Sequence, residues 1–228
     1  MGLDTMVLLG HSFGGYLAAS YALQHPRHLE RLLLVDPWGM TDKPTDLVER
    51  HNISLGARIL FKLIKRLNPL WGLRVAGPVG PRLLPRFRPD LVTKFSCLLG
   101  ESSGQLIPSY LYHCNAHNPS GEAAFHRCAW TRFSHSMDHT NQCFSLSDDY
   151  FWAARPMLSR LSGCSEDLRV SFIYGEDSWV TAVTEAELEA AGARGEVEVI
   201  TIAEARHHVY ADQWDEFNMV VARIVESK

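Results

Sequence analysis

Residues 6–15 have the sequence MVLLGHSFGG, and this stretch decides the fold. A short apolar run leads directly into Gly10-His11-Ser12-Phe13-Gly14, and a helical pattern follows from Tyr16 to Leu23. The order strand, G-x-S-x-G, helix is typical of a nucleophile elbow, a tight turn that lifts a serine hydroxyl above a parallel sheet. The stretch therefore predicts a strand and a helix that share one sharp turn at Ser12.

A serine in such a turn is a candidate nucleophile. We expect a strained backbone at Ser12, and glycines on both sides because a Cβ at either place would collide with the neighbouring strand and helix. The backbone N–H of Phe13, at the start of the helix, is a candidate donor to a developing oxyanion. Ser12 and Phe13 are thus the predicted nucleophile and oxyanion donor.

A serine hydroxyl reacts slowly unless a base removes its proton, and in this arrangement the acid and then the histidine follow the serine along the chain. The sequence 196–202 alternates polar and apolar residues as a strand does, and an apolar helix pattern follows the loop after it. That loop contains His207 and His208. We predict that one of these two histidines is the base.

The acid is expected in the loop after the preceding strand. Residues 168–175 are typical of a buried strand that ends in a turn, and Glu176 and Asp177 come next. Asp177 is the predicted orienting carboxylate. Glu176 is adjacent to it and Asp212 lies near the histidines, so both remain alternatives.

Composition indicates a globular enzyme. The chain has 228 residues, 46% of them hydrophobic and 21% charged, and a net charge of −4. The five cysteines include no C-x-x-C pair, which favours free thiols in a reducing compartment. Because residues 1–4 run straight into a strand and no apolar run approaches membrane-spanning length, we expect a cytoplasmic chain without a signal peptide. His135, His139 and Cys143 are four residues apart, but their polar surroundings indicate a loop, so we predict no metal and no cofactor.

The positive charge is concentrated in one block. Residues 50–94 contain ten basic residues and one acidic residue, although the whole chain is negative. Residues 59–67 combine an apolar helix face with basic side chains, a pattern that indicates a surface for anionic lipid. The candidate phosphate-binding residues are Arg58, Lys62, Lys65 and Arg66. An ordinary solvated helix face remains the alternative, and no nucleic-acid module is present.

The order of elements predicts an α/β fold with an insertion. Four parallel strands are expected at residues 5–10, 31–36, 169–174 and 197–202, with helices near 13–25, 155–162, 183–191 and 212–226. Clusters of proline and glycine interrupt this alternation in the middle of the chain. We therefore predict a hydrolase core at 1–38 with the elbow, a helical cap at 39–154, and further core at 155–228 with the acid and histidine loops.

Several longer runs resemble one α/β-hydrolase subfamily, which includes the N-acyl-phosphatidylethanolamine lysophospholipases and the lipid-droplet coactivator of triglyceride lipase. The resemblance covers nearly the whole chain. Its most specific motifs are Leu34-Val35-Asp36-Pro37-Trp38-Gly39 and His207-His208-Val209-Tyr210-Ala211-Asp212-Gln213. It implies the α/β-hydrolase fold, a mostly parallel sheet with an inserted helical cap.

The resemblance also implies a function. Ser12 and His207 take the nucleophile and base positions, and His207 with Asp212 forms an H-x-x-x-x-D pattern linked in this family to acyl transfer onto lysophosphatidic acid. The alternative is that Asp212 only stabilises the start of the last helix. The coactivator has asparagine where Ser12 stands, so Ser12 favours the hydrolytic branch. We expect a lysophospholipase or N-acyl-phosphatidylethanolamine lipase in lipid homeostasis, with an acyltransferase or a non-catalytic lipase coactivator as alternatives. Its expected partners are a phospholipid, a membrane or lipid-droplet surface bound peripherally, and, for the coactivator alternative, a lipase.

Three departures from the subfamily affect this expectation. An acid expected where Thr181 stands is missing, which would damage the triad if that acid orients the base. Residues 129–149 have no counterpart and indicate an inserted or alternatively spliced segment. The subfamily also has several strands and a helix before the strand that ends at Gly10, including the loop that donates the second oxyanion N–H, and these have no counterpart here. We expect Thr5–Leu9 to form an exposed sheet edge, and the chain, as a truncated isoform, a gene model or a fragment, to be poorly folded and inactive by itself.

Overall fold

A single parallel sheet organises the described part of the chain. The computed structural model describes residues 4–42, 74–87, 89–116, 120–130 and 152–227. The sheet has four strands in the order β1-β2-β3-β4, and each neighbouring pair is parallel. The strands are β1 (Met6–His11), β2 (Leu29–Val35), β3 (Arg169–Gly175) and β4 (Val197–Ile202). All four lie where the sequence predicts them, and their parallel pairing confirms the expected α/β fold.

The helices that follow these strands are those of an α/β core. Helix α1 (Phe13–Gln24) packs against β1 and β2. The remaining core elements are a 3-10 turn at Pro26–His28, a second one at Leu158–Gly163, α7 (Glu185–Ala190), the short α8 (Val209–Asp212) and α9 (Trp214–Glu226). Helix α7 starts with a capping box, in which Thr184 and Glu187 bond each other's backbone N–H.

The centre of the sheet lies in β2 and β3. Six of the seven residues of each strand are buried, which is expected when helices cover both faces of a parallel sheet. On one face, Leu33, Val35 and Ile173 pack with apolar side chains of α9, including Phe217 and Ile224. These contacts fix the carboxyl ends of the strands, from which the candidate site is built.

Strand β1 lies at one edge of the sheet that the described residues form. Val7 is 36% exposed and Leu9 is 43% exposed, although both are apolar. The predicted edge at Thr5–Leu9 is therefore present among the described residues. Apolar side chains are unusual on an open edge, because such an edge can pair with a further strand.

The middle of the chain forms a second compact unit, which comprises Thr45–Arg127 and Ser136–Asp148. The first unit comprises Met1–Pro44, Cys128–His135 and Asp149–Lys228. Beyond two 3-10 turns at Gly77–Val79 and Gly100–Ser102, the middle segment has α2 (Gly80–Phe87), α3 (Pro89–Lys94), α4 (Ser96–Leu99), α5 (Ser103–Ala116) and α6 (Ser120–Trp130). The assignment of residues 39–154 to a cap stays a prediction. Within the described residues, no helix has the length and apolar character needed to cross a membrane.

Candidate active site

The turn at Ser12 has the strained geometry that the motif predicts. Ser12 has φ 54° and ψ −121°, a backbone conformation that a non-glycine residue adopts at a cost of about 1–3 kcal/mol. It lies between the end of β1 and the start of α1. Its N–H donates to the Val35 carbonyl at 2.9 Å, so the hydrogen bonding of β1 to β2 continues into the turn. This hydrogen bond holds the strained residue against the end of β2.

The tight turn requires two glycines, but they are not the pair that the motif suggests. A Cβ on Gly10 would lie 2.4 Å from the Gly14 carbonyl oxygen, and a Cβ on Gly15 would lie 2.9 Å from Pro37 Cβ. Among the described residues, a Cβ on Gly14 would have nothing within 4 Å apart from its own helix. The expected collision is therefore confirmed at Gly10 and, for the part of the chain that the structure describes, wrong at Gly14.

His207 lies against the Ser12 hydroxyl. The distance from His207 Nε2 to Ser12 Oγ is 2.9 Å, and the His207 side chain is 14% exposed. The backbone of His207 is held as well, because His11 Nε2–H donates to the His207 carbonyl oxygen at 2.8 Å. Of the two candidate histidines, the structure thus places His207 against the serine, while the ring of His208 packs beside His11 at 5.5 Å.

Asp36 completes a serine–histidine–carboxylate chain. Its Oδ2 lies 2.6 Å from His207 Nδ1, and its side chain is fully buried. A carboxylate accepts hydrogen bonds, so Nδ1 carries the proton and Nε2 is left to accept the proton of Ser12. Asp36 follows the last residue of β2 with φ 44°, and its N–H donates to the Ile173 carbonyl at 2.8 Å. The acid and the serine thus sit at the carboxyl ends of adjacent strands.

This geometry corrects the predicted acid. Asp177 is exposed, and Asp36 occupies the place beside Nδ1 of His207 that Asp177 was expected to fill. The missing acid at Thr181 does not leave the histidine without a carboxylate, since Asp36 approaches it from β2. The neighbouring Ser178 takes part instead, because its hydroxyl donates to the same Oδ2 of Asp36.

Burial controls the charge of a tyrosine in the strand next to Asp36. Tyr174 in β3 is 1% exposed, and burial raises the pKa of its phenol well above the ordinary value, with the charge of Asp36 as a smaller contribution in the same direction. The phenol therefore stays neutral over the pH range in which proteins are assayed. No second negative charge arises there beside the carboxylate.

Asp212 supports the loop of the base. Its Oδ2 accepts the backbone N–H of Arg206 at 3.0 Å, one residue before His207. Asp212 is the last residue of α8 and directly precedes Gln213, the N-cap of the final long helix, so its role at that helix start stays a prediction. The H-x-x-x-x-D spacing thus brings Asp212 to the backbone beside His207.

The other predicted site residues divide into two groups. Phe13 begins α1, with its ring 5.9 Å from that of Trp38, and its role as oxyanion donor stays a prediction. The four basic candidates and the histidine–cysteine pattern lie outside the described residues (Arg58, Lys62, Lys65, Arg66, His135, His139, Cys143). Among the residues that are described, no group of three or more His, Cys, Asp or Glu side chains could hold a metal ion.

Asp36 and Ser178 are the site residues that sequence reasoning missed. A signal for Asp36 was present, because an acid that directly follows an apolar strand lies at the same carboxyl edge as the elbow when the strands are parallel. No comparable signal marks Ser178. Its contact depends on the path of the loop after β3, which local sequence patterns do not determine.

Two groups of known proteins are similar to this chain in sequence. The chain is 40% identical over its full length to a (Lyso)-N-acylphosphatidylethanolamine lipase of Mus musculus, of which it covers 60%. It is 37% identical over 97% of its length to a 1-acylglycerol-3-phosphate O-acyltransferase ABHD5 of Rattus norvegicus, of which it covers 57%. The chain therefore spans about 60% of the length of these relatives.

Solved structures support the same fold. A serine hydrolase from the bacterium Cycloclasticus zankles superposes with a TM-score of 0.53 at 15% identity, covering 99% of this chain and 65% of the other. The sequence pattern of the Abhydrolase_6 family, described as "Alpha/beta hydrolase family", matches residues 2–220. With its parallel sheet, its elbow at Ser12 and this match over nearly the whole chain, the protein belongs to the alpha/beta hydrolase family.

Proposed function

We propose that this chain carries a serine hydrolase site that cleaves carboxylic esters of lipids. The observation that carries the proposal is the hydrogen-bonded chain from Ser12 through His207 to Asp36, with distances of 2.9 Å and 2.6 Å. A nucleophile, a base and an orienting carboxylate within hydrogen-bonding distance are the parts that acyl transfer to a serine requires.

The proposed reaction has two halves. Ser12 Oγ bonds to the acyl carbon while His207 Nε2 takes its proton, and the tetrahedral intermediate breaks by loss of the alcohol, which receives that proton. A water molecule then attacks the acyl-enzyme, again giving its proton to His207, and Ser12 leaves as the hydroxyl. Asp36 stabilises the imidazolium in both halves without accepting the proton itself.

The open side of the elbow suits an incoming acyl group. Within the described residues and outside its own helix, Gly14 has no atom within 4 Å of the place where a Cβ would stand, and the Phe13 N–H beside it is the proposed oxyanion donor. The Trp179 ring lies 4.8 Å from that of His207, and Trp179 is 52% exposed. An exposed indole beside the base favours an apolar substrate.

The lipid class is inferred from the relatives and from the basic block. The mouse relative is named for the hydrolysis of (lyso)-N-acylphosphatidylethanolamine, so we propose a phospholipid or lysophospholipid as substrate. Arg58, Lys62, Lys65 and Arg66 would hold its phosphate. The same basic face would bind a membrane or lipid-droplet surface peripherally on the cytoplasmic side.

Activity-based labelling tests the proposal. A fluorophosphonate probe should label the purified chain at Ser12, and Ser12→Ala should abolish labelling without changing the unfolding transition. Release of fatty acid from lyso-N-acylphosphatidylethanolamine vesicles should depend on the same residue. A folded chain that is neither labelled nor active would contradict the proposal.

Assays on the same purified protein distinguish a hydrolase from two other functions, an acyltransferase and a non-catalytic coactivator. An acyltransferase would consume acyl-CoA only when lysophosphatidic acid is present, whereas a hydrolase releases fatty acid into water. The contact of Asp212 with the Arg206 N–H gives its carboxylate a role in the loop and so does not favour acyl transfer. A non-catalytic lipase coactivator would keep its lipid or lipase binding after Ser12→Ala.

A further inference from the structure

We propose that Ser178 is a positioning residue of the hydrolytic site, which acts by holding the Asp36 carboxylate against His207. This inference rests on the proposed function. Ser178 lies in the loop after β3, three residues beyond Gly175. Its hydroxyl donates to Asp36 Oδ2, the same oxygen that accepts from His207 Nδ1.

The orientation of the Ser178 hydroxyl is itself determined. The backbone N–H of Val180 donates to Ser178 Oγ at 3.1 Å, which directs an oxygen lone pair towards that N–H and leaves the hydroxyl hydrogen for Asp36. The Ser178 N–H also donates to the Gly175 carbonyl at 3.1 Å. Ser178 is therefore part of a hydrogen-bonded turn, which fixes its backbone and the orientation of its short side chain.

The Asp36 carboxylate has few hydrogen-bond donors among the described residues. Its side chain is fully buried, and Oδ1 has no hydrogen-bond partner within the described part of the chain. Oδ2 thus has two donors, one from the base and one from Ser178. A buried carboxylate that loses a donor becomes free to rotate about χ2 towards other polar groups, so the hydrogen bond to His207 would lose its fixed direction.

The loop after β3 contributes a different group from the one that the sequence predicts. The loop after β3 was expected to supply the carboxylate through Asp177, and it supplies a hydroxyl through Ser178 instead. The strand end of β2 supplies the carboxylate. The register of Leu34 with Phe172 and Val35 with Ile173 brings the carboxyl ends of the two strands together, and the turn after β3 places Ser178 beside Asp36.

The test compares three variants of the full chain. Ser178→Ala removes the donor, Ser178→Thr keeps a hydroxyl, and Ser162→Ala is the matched control because Ser162 is exposed and donates to the Ser159 carbonyl in its own turn. The first measurement is the rate constant for fluorophosphonate labelling of Ser12. The second is the proton NMR signal of His207 Nδ1–H, which reports the contact with Asp36 whether or not the chain is active.

We expect Ser178→Ala to slow labelling about tenfold, the effect of losing one hydrogen bond of about 1.4 kcal/mol. Its Nδ1–H signal should shift and broaden by exchange with water. Ser178→Thr should restore both the rate and the signal, and Ser162→Ala should leave both unchanged.

Two results would overturn the inference. One is Ser178→Ala with the original Nδ1–H signal and labelling rate. The other is slow labelling in Ser178→Ala that Ser178→Thr fails to restore, or that accompanies unfolding at the assay temperature, which would assign Ser178 to general stability. If the unsubstituted chain is not labelled but its Nδ1–H signal responds to Ser178→Ala, the proposed function fails and the positioning role stands.

Discussion

Replacing Asp36 with asparagine should nearly abolish the proposed activity while leaving the chain folded. The change conserves shape, and the amide oxygen can still accept from His207 Nδ1–H and from Ser178. What is lost is the negative charge beside the imidazolium that forms when His207 takes the proton of Ser12. The side chain is fully buried, so water cannot replace that charge.

The size of the effect follows from the contact distance. With Oδ2 and Nδ1 2.6 Å apart, the centres of the two charged groups lie roughly 4 Å from each other. Two unit charges at that separation interact by about 4 kcal/mol at an effective dielectric constant of 20, which corresponds to about a thousandfold in rate. An amide that turns its N–H2 towards Nδ1 would also impose the wrong imidazole tautomer, and the loss would then reach about 10⁴-fold.

The assay is the labelling rate of Ser12 and the turnover of a soluble ester in Asp36→Asn and in Asp177→Asn. Because Asp177 is exposed, its replacement should change either rate by no more than about twofold. Thermal unfolding of both variants controls for folding. A slow Asp177→Asn together with a fully active Asp36→Asn would refute the assignment of the acid.

Three further predictions concern the glycines of the turn, Asp212 and the cysteines. Gly10→Ala should destabilise the chain by about 3 kcal/mol or prevent folding, because its Cβ would lie 2.4 Å from a backbone oxygen. Gly14→Ala should be tolerated or should stabilise the chain by roughly 0.5 kcal/mol. Urea unfolding measures both effects. Asp212→Asn keeps an acceptor for the Arg206 N–H and should preserve hydrolysis. Asp212→Ala removes that acceptor and should lower the free energy of unfolding by about 1–2 kcal/mol. Selective loss of acyl transfer in Asp212→Asn would favour the acyltransferase. Burial raises the pKa of the Cys164 thiol, so iodoacetamide should modify the exposed Cys114 well before Cys164, as peptide mass mapping would show. The raised pKa keeps Cys164 neutral in the folded state, so its contribution to stability is complete below the ordinary thiol pKa of about 8.5 and is lost as the pH rises through the higher folded value.

The parts of the site that depend on residues close together in the chain were predictable from the sequence. Strand, turn and helix follow one another between Met6 and Gln24, so the elbow could be located from residues that are close in the chain. The loop after β4 could likewise be assigned to the base, because a strand pattern precedes it and a helix pattern follows it. In both cases the relevant backbone contacts are local or follow from a parallel sheet.

The identity of the acid was not predictable in this way. Asp36 and Asp177 both follow a buried strand, and both strands end at the same edge of the sheet. Sequence order favoured Asp177. The choice between them depends on which carboxylate the loops turn towards His207, 171 residues away from Asp36 along the chain.

The sequence alone thus indicated the parallel sheet, the tight turn at Ser12 and the histidine loop, because apolar periodicity and a strained turn are encoded by neighbouring residues. Only the tertiary structure showed that Asp36 contacts His207, that the Ser178 hydroxyl donates to Asp36, and that Asp212 accepts from the backbone of the histidine loop. Those three contacts join residues from different loops or helices, and their distances are set by how β2, β3 and the segment after β4 pack together.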